Sequence, residues 1–192
     1  MSKRMGFYVD ANSCQGCKTC QITCKDKNDL KIGQLFRQVF EMEGGGYTIS
    51  GYGIIPRVYA YYISMSCNHC EEPKCVDVCP TGASYQRADD GLVLINEDRC
   101  IGCRLCEWAC PYKARQFDGK KMTKCDACQD LLAKGQNPAC VDACPCRALE
   151  FGPLDELQLK HPGITQDFQG LPDSSLTKPT TLFKAHKNAI QY

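Results

Sequence analysis

Residues 100–111 read C-I-G-C-R-L-C-E-W-A-C-P. Cys100, Cys103 and Cys106 recur every third residue, Cys110 follows after three more, and Pro111 comes directly behind it. Three thiolates two residues apart wrap a tight loop around one face of a cube-shaped iron–sulfur cluster. The fourth, a helical turn further on, points away toward a second cluster. Zinc sites favour paired ligands, and disulfides staple distant loops, so neither accounts for an evenly spaced trio closed by Cys-Pro.

Outward from this run, three more cysteine groups follow the same plan. Cys14, Cys17, Cys20 and Cys24 keep the spacing, with Lys25 in the place of the proline. Cys67, Cys70, Cys75 and Cys79 end on Pro80 and widen the middle gap to four residues. Cys125, Cys128, Cys140 and Cys144 end on Pro145, and the eleven residues between Cys128 and Cys140 are expected to hold a short helix over D-L-L-A-K. Four groups make an internal repeat. Two such units build a two-cluster ferredoxin module in which the fourth cysteine of each group serves its neighbour's cluster.

The second and third groups are separated by residues 80–99, which hold a strand and suit one compact module. The first and fourth then pair by elimination. Cluster 1 is expected on Cys14, Cys17, Cys20 and Cys144, and cluster 2 on Cys125, Cys128, Cys140 and Cys24. Cluster 3 is expected on Cys67, Cys70, Cys75 and Cys110, and cluster 4 on Cys100, Cys103, Cys106 and Cys79. These sixteen cysteines are the expected iron ligands; Cys146 is left over, read as a spare buried thiol, with a stand-in for Cys144 as the alternative that the spacing disfavours. The expected fold is α+β: two ferredoxin-like 2[4Fe–4S] modules, the second (57–113) inserted in the first (1–56 and 114–152), with a helix and extended tail over 153–192.

Strands are expected at 6–10, 34–40, 57–64 and 92–96, where aromatic and β-branched residues gather. A hairpin tip or flexible loop is expected over 43–53, which holds five glycines but no phosphate-cradling motif. A second hairpin is expected to turn on Asp118-Gly119, and one short helix over 153–161. Residues 162–192 read either as a disordered end or as an arm along a partner subunit.

Composition sets bounds. The hydrophobic share is 43% of 192 residues, but that figure includes 17 cysteines. Without them only roughly a third of the chain remains to pack a core, so inorganic clusters are expected to fill part of the interior. A formal net charge of +1 gives no reason to expect a nucleic-acid partner. The N-terminus, M-S-K-R-M-G-F-Y-V-D, has no apolar signal region, and no run approaches the length of a membrane span. The expectation is a chain without an export signal of its own that reaches a membrane through partners. No Ser/His/Asp set or paired carboxylates suggest bond chemistry, so the chain is read as a non-catalytic subunit.

The stretches G-F-Y-V-D-A-N-S-C-Q-G-C-K-T-C, A-Y-Y-I-S-M-S-C-N-H-C-E-E-P-K-C, C-I-G-C-R-L-C-E-W-A-C-P-Y, M-T-K-C-D-A-C and A-L-E-F-G-P-L-D-E-L resemble the four-cluster electron-transfer subunits of molybdopterin oxidoreductases. Among these the chain is most similar to the iron–sulfur subunit of dimethyl sulfoxide reductase. The likeness covers roughly residues 6–157. In the related nitrate reductase subunit the position matching Cys103 looks like a tryptophan, with a three-iron cluster. The cysteine here therefore implies four [4Fe–4S] clusters. The resemblance further implies a catalytic subunit carrying molybdopterin guanine dinucleotide, a membrane anchor that oxidises quinol, and a role in anaerobic respiration. Such a complex lies either on the periplasmic side, exported with its catalytic subunit, or on the cytoplasmic side. The same relay serves polysulfide and tetrathionate reductases, formate dehydrogenases and hydrogenases; a structural zinc protein is the alternative of another class.

Lys18, Lys25, Lys74, Arg99, Arg104 and Lys124 flank cysteine ligands and are candidates to raise cluster potentials. His69 is read as a tuning or quinol-facing residue, or an ordinary loop histidine. Trp108 is expected to pack beside the third group.

Overall fold

The computed structural model describes residues 3–168 and 170–189. The first strand, β1 (Met5–Asp10), carries a run of buried residues because both of its edges and both of its faces are used. On one face Phe7 and Val9 enter the main core. On the other, Tyr8 packs with Leu157 and Leu182. Asp10 ends the strand: its carboxylate accepts the Asn12 and Ser13 amides at 2.8 and 3.3 Å and the Ser13 hydroxyl at 3.1 Å. That turn aims the chain into the first cysteine loop, which closes on α1 (Thr19–Lys27).

A long hairpin follows, with β2 (Gln38–Gly44) paired to β5 (Tyr59–Met65) and a nested hairpin of β3 (Tyr47–Ser50) and β4 (Gly53–Pro56) at its tip. The expected strand at 34–40 thus starts later. Leu35 is held by the Gln116 side chain instead of a ladder, its amide at 2.8 Å and its carbonyl at 2.6 Å. The expected tip over 43–53 forms the crown of the hairpin.

The second and third cysteine groups carry α2 (Lys74–Asp77) and α3 (Leu105–Trp108), joined by the hairpin β6 (Ser84–Gln86) and β7 (Val93–Ile95). A further hairpin, β8 (Gln116–Phe117) and β9 (Met122–Thr123), departs from the expected two-residue turn. Four residues, 118–121, connect its strands, because the Asp118 carboxylate accepts both the Lys120 and Lys121 amides at 2.7 Å. The fourth group spans α4 (Gln129–Leu132) and α5 (Ala139–Asp142), and β10 (Leu149–Pro153) then returns to β1. Two helix pairs are in contact, α1 with α5 and α2 with α3.

The C-terminal region corrects the expectation of a disordered end or an arm along a partner subunit, since it packs on this chain. After α6 (Leu154–Lys160), β11 (Leu182–Lys184) runs parallel to β1 and completes the sheet β10-β1-β11. Phe168, Thr177 and Thr180–Phe183 are buried. The Thr180 amide and hydroxyl both donate to the Asn68 carbonyl, at 2.9 and 2.8 Å, so this segment clamps the second cysteine loop. Residue 169 and residues 190–192 lie outside the described residues. The main core joins Phe7, Val9, Ile63, Leu92, Leu149 and Phe183 with Cys20, Cys67, Cys125, Cys140 and Cys144.

Candidate iron–sulfur sites

Each cysteine loop must curl around an object it does not fill. The residue before the second cysteine of every group therefore has a positive φ: Gly16 at 68°, His69 at 42°, Gly102 at 69° and Ala127 at 59°. Glycine enters this conformation freely, and other residues pay about 1–2 kcal/mol. At Gly102 a Cβ would also stand 2.3 Å from the Lys120 carbonyl oxygen and 3.2 Å from the Phe117 ring. Gly102→Ala is thus expected to cost on the order of 2 kcal/mol or more and to speed iron loss to a chelator. Gly135→Ala is the control, since Gly135 shares the positive φ but has open space around it. Equal chelation rates in the two variants would refute the steric argument.

The thiols gather in sets. Cys14, Cys17, Cys20 and Cys144 line one cavity, together with Cys146. Cys79, Cys100, Cys103 and Cys106 line another. Cys24 and Cys125 lie within electrostatic reach of Cys140, as does Cys128, and Cys70 and Cys110 both lie within reach of Cys67 and Cys75. Cys20 and Cys24 stand one turn apart on α1, and Cys140 lies in α5 with Cys144 just beyond its end; of each pair, only Cys20 and Cys144 line the first cavity. Cys146 is half-buried rather than fully buried.

No three His, Cys, Asp or Glu side chains among the described residues converge tightly enough to grip a single ion. Two of the sets stand around a shared space, the arrangement a multi-iron cluster uses, whereas a tetrahedral zinc site holds its sulfurs about 2.3 Å from one ion. Burial pushes the Cys24 and Cys70 thiols up to about 12 and raises Cys14, Cys20, Cys106, Cys110, Cys125 and Cys128 as well. These thiols stay protonated until iron displaces the proton. At Cys79 burial also pushes upward, but donors from Ser84 and Thr81 outweigh it and the thiol is lowered. Cys17, which is exposed, is lowered by the Thr19 hydroxyl and amide.

Several buried donors have no partner among the described residues: Arg37 Nε, Asn68 Nδ2, His69 Nε2 and Arg115 Nη1. Leaving such groups unpaired is costly, and an anionic sulfur cluster supplies the acceptors they lack. His69 is buried, and its Nδ1 accepts the Val93 amide at 3.1 Å. Burial, then the nearby Lys124 and arginines, holds its pKa well below the usual range. The ring is therefore neutral with its hydrogen on Nε2.

Sequence adjacency selected one buried cation beside a thiol, Lys124, and five that turn elsewhere. Lys25 donates to the Leu30 carbonyl at 2.7 Å, Lys74 pairs with Asp77, Arg99 donates to the Thr81 carbonyl at 2.6 Å, and Arg104 pairs with Glu107 at 2.7 Å. Lys18 is exposed, and Lys124 alone of the six is buried, its ammonium on the Cys125 carbonyl. The cations the sequence reading missed are Arg37 and Arg115. Their one visible signal was a lone arginine inside an otherwise strand-like segment. Trp108 is also corrected. It is 77% exposed, because the inner side of the one-turn helix α3 is taken by Cys106.

Cysteine loops of this geometry, two of them closing on shared cavities, define a ferredoxin-type [4Fe–4S] electron-transfer protein. Residues 58–154 match the family described as a 4Fe-4S dicluster domain, and residues 11–27 match a 4Fe-4S binding domain. The chain is 47% identical over 191 residues to the B polypeptide of anaerobic dimethyl sulfoxide reductase from Escherichia coli K12, covering 98% of this chain and 92% of that one. The corresponding Haemophilus influenzae polypeptide is likewise 47% identical, over 190 residues (97% and 92%). The B polypeptide of sulfite dehydrogenase from Allochromatium vinosum is 39% identical over 176 residues (80% and 70%). The chain belongs to the family of iron–sulfur electron-transfer subunits formed by the B polypeptides of anaerobic dimethyl sulfoxide reductases.

Proposed function

We propose that this subunit relays single electrons through four [4Fe–4S] clusters, between a membrane anchor that oxidises quinol and a catalytic subunit carrying molybdopterin guanine dinucleotide. The bound clusters supply the one-electron chemistry, with potentials tunable over roughly −700 to +450 mV. The sixteen cysteines hold them in the sets inferred from spacing. The observation that carries this reading is the convergence of residues far apart in sequence, Cys144 with Cys14, Cys17 and Cys20 in one cavity. The same convergence supports a split first module, as do the β1–β10 ladder and the packing of α1 on α5.

Neighbour contacts support a linear order. Cys20 lies within reach of Cys140, Cys125 within reach of Cys67, and Cys106 within reach of Cys75. Clusters 1 to 4 then follow one another. Cys17 and Cys103, the two exposed thiols, mark the ends where partners exchange electrons. No helix among the described residues is long and apolar enough to cross a membrane, so the anchor supplies the attachment.

Anaerobic purification is expected to yield a brown chain holding about sixteen irons, four for each quartet, and to bring down a large molybdenum-containing subunit. A colourless protein holding only zinc would sink the proposal, and a fully loaded chain with no large partner would sink the complex.

A further inference from the structure

Two arginines outside every cysteine motif occupy matching interior positions. Arg37 is 1% exposed and Arg115 is 2% exposed. A guanidinium keeps its charge in a protein and only donates hydrogen bonds, so each is an obligatory buried cation. Arg37 donates to the Ser64 hydroxyl at 3.1 Å, the Ser64 carbonyl at 3.4 Å and the Ser66 hydroxyl at 2.9 Å, and lies over the Phe7 ring at 4.6 Å. Arg115 donates to Cys75 Sγ at 2.8 Å and to the Ser84 hydroxyl at 2.6 Å. Among the described residues neither is paired with a carboxylate. An uncompensated buried charge is among the costliest features a fold can carry.

The groups in reach that become anionic when iron displaces their protons are cysteine sulfurs. Arg115 touches Cys75 Sγ and lines the cavity of Cys79, Cys100, Cys103 and Cys106; Arg37 reaches Cys20 through the Ser64 hydroxyl and lies within electrostatic reach of Cys140, Cys125 and Cys24. On the quartets proposed above, on which this inference rests, each guanidinium faces both clusters of one module. Arg37 also orients a ligand bond. Because the Ser64 oxygen accepts from the guanidinium, its own hydrogen is free to donate to Cys20 Sγ, 3.3 Å away.

We propose that Arg37 and Arg115 are a matched pair of positioning residues for electron transfer, one per module, each raising the reduction potentials of both clusters it lies between. An added electron makes a cluster more negative, and a fixed cation in a low-dielectric interior favours that reduced form.

The test is a redox titration of the assembled complex, followed by electron paramagnetic resonance. The signals are first labelled with Cys17→Ser, Cys128→Ser, Cys70→Ser and Cys103→Ser, one ligand from each quartet. Arg37→Gln is expected to shift the one-electron equilibria of the signals labelled by Cys17 and Cys128 at least tenfold toward the oxidised form, about 59 mV each, and to leave the other two in place. Arg115→Gln is expected to do the reverse. Arg37→Lys and Arg115→Lys keep the charge and are expected to hold all four within tenfold of the unaltered protein. Ser64→Ala, which leaves the charge and removes one hydroxyl, is expected to lower only the signal labelled by Cys17.

Glutamine variants that retain full iron and show no shift overturn the inference. So do lysine variants that shift as far as the glutamine ones. If a glutamine variant fails to load iron, the lysine and Ser64→Ala variants decide, and an unmoved Cys17 signal in Ser64→Ala overturns the role of Arg37. A shift shared by the signals labelled by Cys17 and Cys70 would overturn the quartets instead, leaving the electrostatic effect intact.

Discussion

Replacing Cys103 with serine is expected to convert cluster 4 to a three-iron form or to remove it. Quinol-dependent turnover should then fall on the order of tenfold or more, each tenfold being about 1.4 kcal/mol of barrier. Cys103 sits on the outward side of its loop, exposed, between Gly102 and Arg104, both with positive φ. The loop there is shaped by its own backbone, so losing one thiolate leaves the other three ligands in position. Around it Ile101, Leu105 and Trp108 are also exposed, a surface suited to a partner that delivers electrons. On the proposed relay, dye-driven activity of the catalytic subunit would bypass this end and is expected to survive. Electron paramagnetic resonance checks the cluster directly: unchanged signals in Cys103→Ser would refute the assignment of Cys103 as a ligand.

Ending the chain after His161 is expected to abolish stable folding. The segment that follows contributes Phe168, Leu182 and Phe183 to the interior. Each buried side chain of that size is worth about 1.5–3 kcal/mol, so together they supply roughly 5–9 kcal/mol, comparable with the whole net stability of a domain. The deletion would also strip β1 of its parallel neighbour and release the clamp of Thr180 on Asn68. The second cysteine loop would then lose its outer support. Iron content and thermal unfolding of the shortened chain report the outcome directly. A truncated chain that loads as much iron and melts in the same range would show that the segment is dispensable.

Much of the site was legible in the sequence because ligand spacing is a local property. A cysteine every third residue, then one a helical turn on, encodes its geometry within about a dozen positions. Strands β1, β5 and β7 were legible for the same reason, through short aromatic and β-branched runs. The hairpin at 114–124 was half legible: its turn residues were visible, but the Asp118 carboxylate's two amide bonds lengthened the turn.

The tail was illegible because its burial comes from segments far away in sequence, β1 and the second cysteine loop, and not from any period of its own. The buried arginines were illegible for a related reason. Lys25, Arg99 and Arg104 touch cysteines along the chain yet turn to carbonyls or carboxylates, while Arg37 and Arg115 reach the thiols only through folding. The sequence by itself determined what the chain binds, because a thiolate cage is written in consecutive residues. Only the tertiary structure decided which charges face that cage and what covers it, because a buried electrostatic environment is made by residues that meet across the fold.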